Sequence, residues 1–131
     1  MKESFFRFKR PMVKDISYQI SEEYKPNQKS KIDIIISTNF ARKAEERIAI
    51  VGLQVELGKG DSENPPFVLS LTIVADFQWE EDHKEDKVDT LLRQNAPALL
   101  LSYARPVISN ITANSIMPYD IPFMDFTKKG K

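Results

Sequence analysis

From Phe67 to Phe77 every odd position is apolar (Phe67, Leu69, Leu71, Ile73, Ala75, Phe77), while Ser70, Thr72 and Asp76 mark the other face. A repeat of two is that of a strand with one buried side. The alternation recurs three more times upstream. Phe6, Phe8, Met12, Ile16, Tyr18 and Ile20 hold even positions, with Arg7, Lys9, Ser17 and Gln19 between them. Pro11 has no amide donor, so this segment belongs at a sheet edge or a strand start. Next, Ile32, Ile34, Ile36 and Phe40 alternate with Lys31, Asp33, Ser37 and Asn39, with Ile35 as the exception. Within Arg47 to Leu57, Val51, Leu53, Val55 and Leu57 oppose Gly52, Gln54 and Glu56. The connections are Ser21 to Ser30, polar with a proline, as a crossing loop; ARKAEER as a charged turn; and Gly58 to Pro66, built of turn residues. Consecutive strands with such connections predict a four-stranded antiparallel sheet rather than βαβ units.

Beyond Trp79 the period changes. The charge run EEDHKEDK leads into a short helix through Leu92, and a long helix starts near Asn95, whose side chain can cap free amides. Pro97 falls in its first turn, where a missing donor costs nothing. Leu100, Ala104, Val107, Ile108 and Ile111 follow helical spacing, and Ser102, Arg105, Ser109 and Thr112 form a polar stripe on another face. Pro106 removes the hydrogen bond to Ser102 and predicts a kink. The elements are therefore those of an α+β chain, a four-stranded antiparallel sheet followed by a long helix. At 131 residues the chain, 1–131, makes one domain with one core.

Composition mainly excludes. Nineteen basic and nineteen acidic residues cancel, so no global field points to nucleic acid or an anionic membrane. The absence of cysteine removes disulfides, thiolate catalysis and Cys-based zinc sites. No apolar run has the length of a signal peptide or a spanning helix, so a cytoplasmic protein without membrane insertion is expected. His83, the single histidine, lies in the charge run, which reads as solvated surface and not as part of a triad or metal centre. Gly58-Lys59-Gly60 lacks the spacing of a phosphate loop, and the acidic residues Asp61, Glu63 and Glu80 to Asp82 lack that of a calcium loop. The aromatic and basic cluster Phe5 to Arg10 admits stacking on single-stranded nucleic acid, but its strict alternation suits a sheet edge better. No enzyme, metal or cofactor is expected.

A resemblance adds what spacing alone does not. Tyr103-Ala104-Arg105 in mid-helix, Ile108-Ser109-Asn110-Ile111-Thr112 after it, Pro122-Phe123-Met124-Asp125-Phe126 near the end and Lys14-Asp15-Ile16-Ser17-Tyr18 in the first strand resemble the SecB family of export chaperones. With the order of elements between them, the resemblance covers roughly residues 8–126. It implies a chaperone without ATPase activity that holds unfolded polypeptide clients in apolar grooves, assembled as a homotetramer, a dimer of dimers. Carried over by position, the client-binding residues are Tyr24 in the crossing loop, Ile32 and Ile34 on the second strand, and Met117, Tyr119, Ile121, Phe123 and Met124 after the long helix. Met and aromatic side chains adapt to varied apolar sequences. Core packing is an equally good reading of Ile32 and Ile34, whereas exposure is favoured for Met117 and Tyr119 beside Pro118.

The same resemblance assigns the stripe Ser102, Arg105, Ser109 and Thr112 to a helix interface between subunits, solvent exposure being the alternative. Two departures bear on partners. The family's second helix, and the tail that touches the SecA motor, are truncated in a chain that ends shortly after Phe126. Of the acidic patch that docks SecA, the matching positions are Asp15, Gln19, Val68 and Ser70, and only Asp15 keeps its charge. Attraction for SecA is then weak. This tilts the reading from general export toward a dedicated partner, such as the antitoxin of a toxin-antitoxin system. The alternative is a non-catalytic oligomeric interaction protein on the same scaffold.

Overall fold

A computed structural model describes residues 6–9, 11–43, 46–80, 85–122 and 126. His83, Phe123 and Met124 lie outside the described residues. The strands are β1 (Phe6–Phe8), β2 (Met12–Ile20), β3 (Ile34–Lys43), β4 (Ile48–Leu57) and β5 (Phe67–Trp79), followed by α1 (Glu85–Thr90), a π-helical turn (Leu91–Asn95) and α2 (Ala96–Thr112). All pairings are antiparallel, with β5 between β4 and the edge formed by β1 and β2, and β3 at the opposite edge. The expected four strands become five because the first is interrupted between Phe8 and Met12, where Pro11 cannot donate to the ladder.

That interruption changes which side chains face inward. Phe8 lies opposite Phe77, but Met12 lies opposite Val74 and Val13 opposite Ile73. Met12 therefore joins the outer face, against the simple even-position reading, and Val13 takes its place inside. A second irregularity between Val13 and Asp15 restores the parity, so Ile16, Tyr18 and Ile20 stand opposite the buried Leu71, Leu69 and Phe67. The turn expected over ARKAEER is likewise shorter, since Ala41 to Lys43 continue β3 in register with β4.

The core forms where both central strands turn their apolar rows toward α2. Every odd residue of β5 from Phe67 to Trp79 is buried, as are Ala49, Val51, Leu53, Val55 and Leu57 of β4, and they pack with Val88, Leu92, Ala96, Leu100, Leu101, Ala104 and Ile108. Burying one such side chain contributes roughly 1.5–3 kcal/mol, so this central layer holds the fold. Asn95 does not cap α2. It is itself helical, with no side-chain cap bond, because the π turn passes directly into α2 and the Ala96 amide already donates to the Leu91 carbonyl. The helix also runs on through Pro106, which lies on the exposed side where water can reach the carbonyl it leaves free.

Candidate functional site

The end of the sheet where β4 passes into β5 gathers three segments far apart in sequence. Gly58 makes the turn possible: its φ is +84°, and a Cβ there would collide with the Phe67 carbonyl. The crossing loop reaches this end from β2, its start fixed by the Ser21 amide donating to the Pro66 carbonyl (3.0 Å) and its finish by the backbone pair Lys31 and Glu63 (2.8 and 2.9 Å). Asp33, just before β3, takes its place through the Ser62 hydroxyl, which accepts the Asp33 amide (2.9 Å), and through its own carboxylate, which accepts the Asp61 amide (3.1 Å).

The third segment is the chain after α2. Ser115 shapes its turn by donating its hydroxyl toward the Thr112 and Met117 carbonyls (both 2.9 Å) and accepting the Met117 amide (3.1 Å). The chain then returns along the helix, held at successive turns by the polar stripe. Thr112 Oγ1 accepts the Tyr119 amide (2.9 Å) and donates to the Ile108 carbonyl (2.9 Å), Ser109 donates to the Asp120 carboxylate (2.7 Å), and Arg105 donates to the Pro122 carbonyl (3.0 Å). The stripe read as a subunit interface thus fastens the molecule's own returning segment. Thr112 is 0% exposed and has no surface to offer another subunit. Ser102 is exposed, its hydroxyl donating back to the Leu99 carbonyl (2.5 Å).

This fastening brings Tyr119 against the start of β3. Burial, then the nearby Asp33 carboxylate, both disfavour the phenolate and raise the Tyr119 pKa above its ordinary value of 10.0. Tyr119, Ile32 and Ile34 are half-buried against the core, and Tyr24 and Met117 are half-buried in their own segments at the same end. Ile121 goes further: at 7% exposure it closes the core beside the helix, so its side chain is a packing element of the folded protomer.

Two features were not legible in the sequence. On the helix-facing side of the sheet, Val13, Ile16 and Ile20 of β2 stay 47%, 43% and 51% exposed, because α2 lies over β4 and β5 and stops short of the edge strand. Phe8 begins the same uncovered row, stacking on Phe77 (ring centroids 5.7 Å apart) and meeting Tyr103 of α2 edge-on (6.3 Å). On the outer face, register sets Asp15, Ser17 and Gln19 opposite Thr72, Ser70 and Val68, so the four positions of the expected acidic patch do adjoin. Glu22 and Glu23 of the crossing loop join Gln19 and Val68 around a shallow cleft there, adding carboxylates that a position-by-position transfer overlooks. Among the described residues no cluster of His, Cys, Asp and Glu is arranged to hold a metal, and no helix is long and apolar enough to cross a membrane.

Comparison with known proteins fits this architecture. Residues 1–128 match the family model described as SecB, preprotein translocase subunit SecB. The chain belongs to the SecB family. The uncharacterized protein MJ0357 of Methanocaldococcus jannaschii is 30% identical over 114 residues, spanning 86% of this chain and 73% of that protein. Among solved structures, the Mycobacterium tuberculosis SecB-like chaperone Rv1957, in complex with a ChAD peptide from the Rv1956 HigA1 antitoxin, superposes with a TM-score of 0.69 at 14% identity, covering 91% of this chain and 90% of that one. The SecB-like fold expected from the sequence is thereby established, with five strands in place of four.

Proposed function

We propose that this SecB-family chain is an ATP-independent holdase that binds unfolded or partly folded polypeptide along the surface formed by Tyr24, Ile32, Ile34, Met117 and Tyr119; Phe123 and Met124 belong to the proposed client set through the family resemblance alone. The observation that carries the proposal is the convergence of the crossing loop, the start of β3 and the segment after α2 at one end of the sheet, with Tyr119 beside Asp33. Half-buried Tyr, Ile and Met side chains in that setting offer apolar contact without demanding a particular client sequence. Burial of Ile121 reduces the set carried over from the family by one.

Binding of an antitoxin peptide by the structurally similar Rv1957 supports a dedicated client over general export. The uncovered row Val13, Ile16 and Ile20 supports a homo-oligomer built at the β2 edge, a dimer or a dimer of dimers. The same row is what favours the second reading, an oligomeric interaction protein that binds no client. Suppression of aggregation of a slowly folding client, assayed without nucleotide, separates the two: the holdase protects the client in proportion to its own concentration, and the interaction protein does not.

A further inference from the structure

We propose that Asn64 is the positioning residue of the client surface, a side-chain latch that holds the crossing loop, and Tyr24 with it, against the β4–β5 connection; the proposal rests on the holdase reading above. Asn64 Oδ1 accepts the Lys25 amide (2.8 Å), and Asn64 Nδ2 donates to the carbonyls of Lys25 (2.8 Å), Lys29 (3.2 Å) and Gln28 (3.4 Å). One amide group thereby serves both backbone polar groups of Lys25, as a neighbouring strand would, and gathers two further carbonyls.

Among the described residues these are the hydrogen bonds that tie residues 22–30 to the rest of the protein. The other two bonds there, Tyr24 to Ser21 and Gln28 to Lys25, stay within the loop. The loop is therefore pinned at Ser21 and at Lys31, and between the pins it is held through one side chain. Asn64 adopts φ +47°, a left-handed conformation that Asn tolerates better than other non-glycine residues and that points its amide back toward the loop. Residues 24 and 25 are adjacent, so the bonds to Lys25 set the backbone from which the Tyr24 side chain projects. Release of the latch leaves the nine-residue span 22–30 free to move between its pins, and an aromatic contact on a mobile span loses affinity to the entropy of ordering it.

Asn64→Gly is the clean perturbation, because glycine keeps the left-handed backbone and removes only the amide. Asn64→Asp keeps an acceptor for the Lys25 amide but has no donor for the three carbonyls, so it should not restore the latch. Two readouts on the full chain suffice: hydrogen exchange of residues 22–30 in the free protein, and binding of fluorescein-labelled, reduced and carboxymethylated α-lactalbumin as a permanently unfolded probe. The expected result is exchange at least about tenfold faster in the loop with the sheet unchanged, and a loss of affinity of about tenfold, the scale of a buried aromatic contact. Tyr24→Ala should cost about the same in the wild type and nothing further in Asn64→Gly. Unchanged loop exchange would refute the latch whether or not the probe binds. A freed loop with unchanged affinity, or a Tyr24→Ala effect of equal size in both backgrounds, would refute the positioning role. No binding of any unfolded probe by the wild type would refute the holdase reading and this role together.

Discussion

Replacing Thr112 by Val tests whether the segment after α2 is fastened as described. The two side chains have nearly the same volume, so no cavity opens, but the hydroxyl that accepts the Tyr119 amide (2.9 Å) and donates to the Ile108 carbonyl is gone. Leaving a donor without a partner costs about 1–3 kcal/mol when fully buried, and Tyr119 is only half-buried, so water recovers part of it. A loss of about 1–2 kcal/mol is expected. For a domain of this size that lowers Tm by roughly 3–10 °C. The matched control is Thr112→Ser, which keeps the hydroxyl and loses a methyl, at a comparable cost of about 1 kcal/mol from packing. Stability alone therefore does not discriminate. Exchange of the Tyr119 amide does: protection should collapse in the Val variant and persist in the Ser variant. Urea titration at one fixed protein concentration gives the energy, since assembly would otherwise shift it. A Val variant within about 0.5 kcal/mol of the wild type, with its Tyr119 amide still protected, would refute the fastening.

Further outcomes follow from the same geometry. The Tyr119 pKa is raised by burial and by Asp33, so the stability it contributes is fully present below pH 10, its unfolded value, and is lost as pH rises through the folded value; an absorbance titration of wild type against Tyr119→Phe should show one tyrosine ionising late, with the extra alkaline destabilisation absent from the Phe variant. Met117→Ser with Tyr119→Ser should weaken client capture several-fold while circular dichroism stays unchanged, because both side chains lie outside the buried layer between sheet and helix. Ile16→Asp places a charge in the uncovered β2 row and should shift light scattering from an oligomer to a protomer of 15.1 kDa, whereas a wild type that scatters as a protomer would remove the oligomer proposal. Arg105→Glu should free the segment near Pro122, raising its exchange, because Arg105 donates to that carbonyl; unchanged exchange there would contradict the returning path of the chain.

Legibility in the sequence followed how much each element depends on its own residues. β5 was readable almost to the residue because both its periodicity and its burial are uniform, every odd side chain packing inward. The β2 edge was not, since its two irregularities move Met12 outward and Val13 inward, and neither changes the composition of the segment. The charged residues Arg42 and Lys43 read as a turn, yet cross-strand pairing with β4 carries them into the sheet. The stripe on α2 was readable as a feature, but the segment of the same protomer that lies along it was not. Spacing shows that Arg105, Ser109 and Thr112 share a face, and only the returning chain shows that Tyr119, Asp120 and Pro122 occupy it. Asn64 carried no signal beyond that of an ordinary turn residue, because its role depends on a loop some 35 residues earlier in the chain.

Client capture at two ionic strengths tests the central claim most directly. The proposed client surface of Tyr24, Ile32, Ile34, Met117 and Tyr119 would bind by apolar burial, which salt does not screen, whereas attraction between surface charges fades once the screening length falls to about 3 Å near 1 M salt. The protein should suppress aggregation of a slowly folding client without nucleotide, and as well in about 1 M salt as at physiological ionic strength. Absence of protection for every client tried, an antitoxin included, or protection that vanishes at high salt, would contradict it.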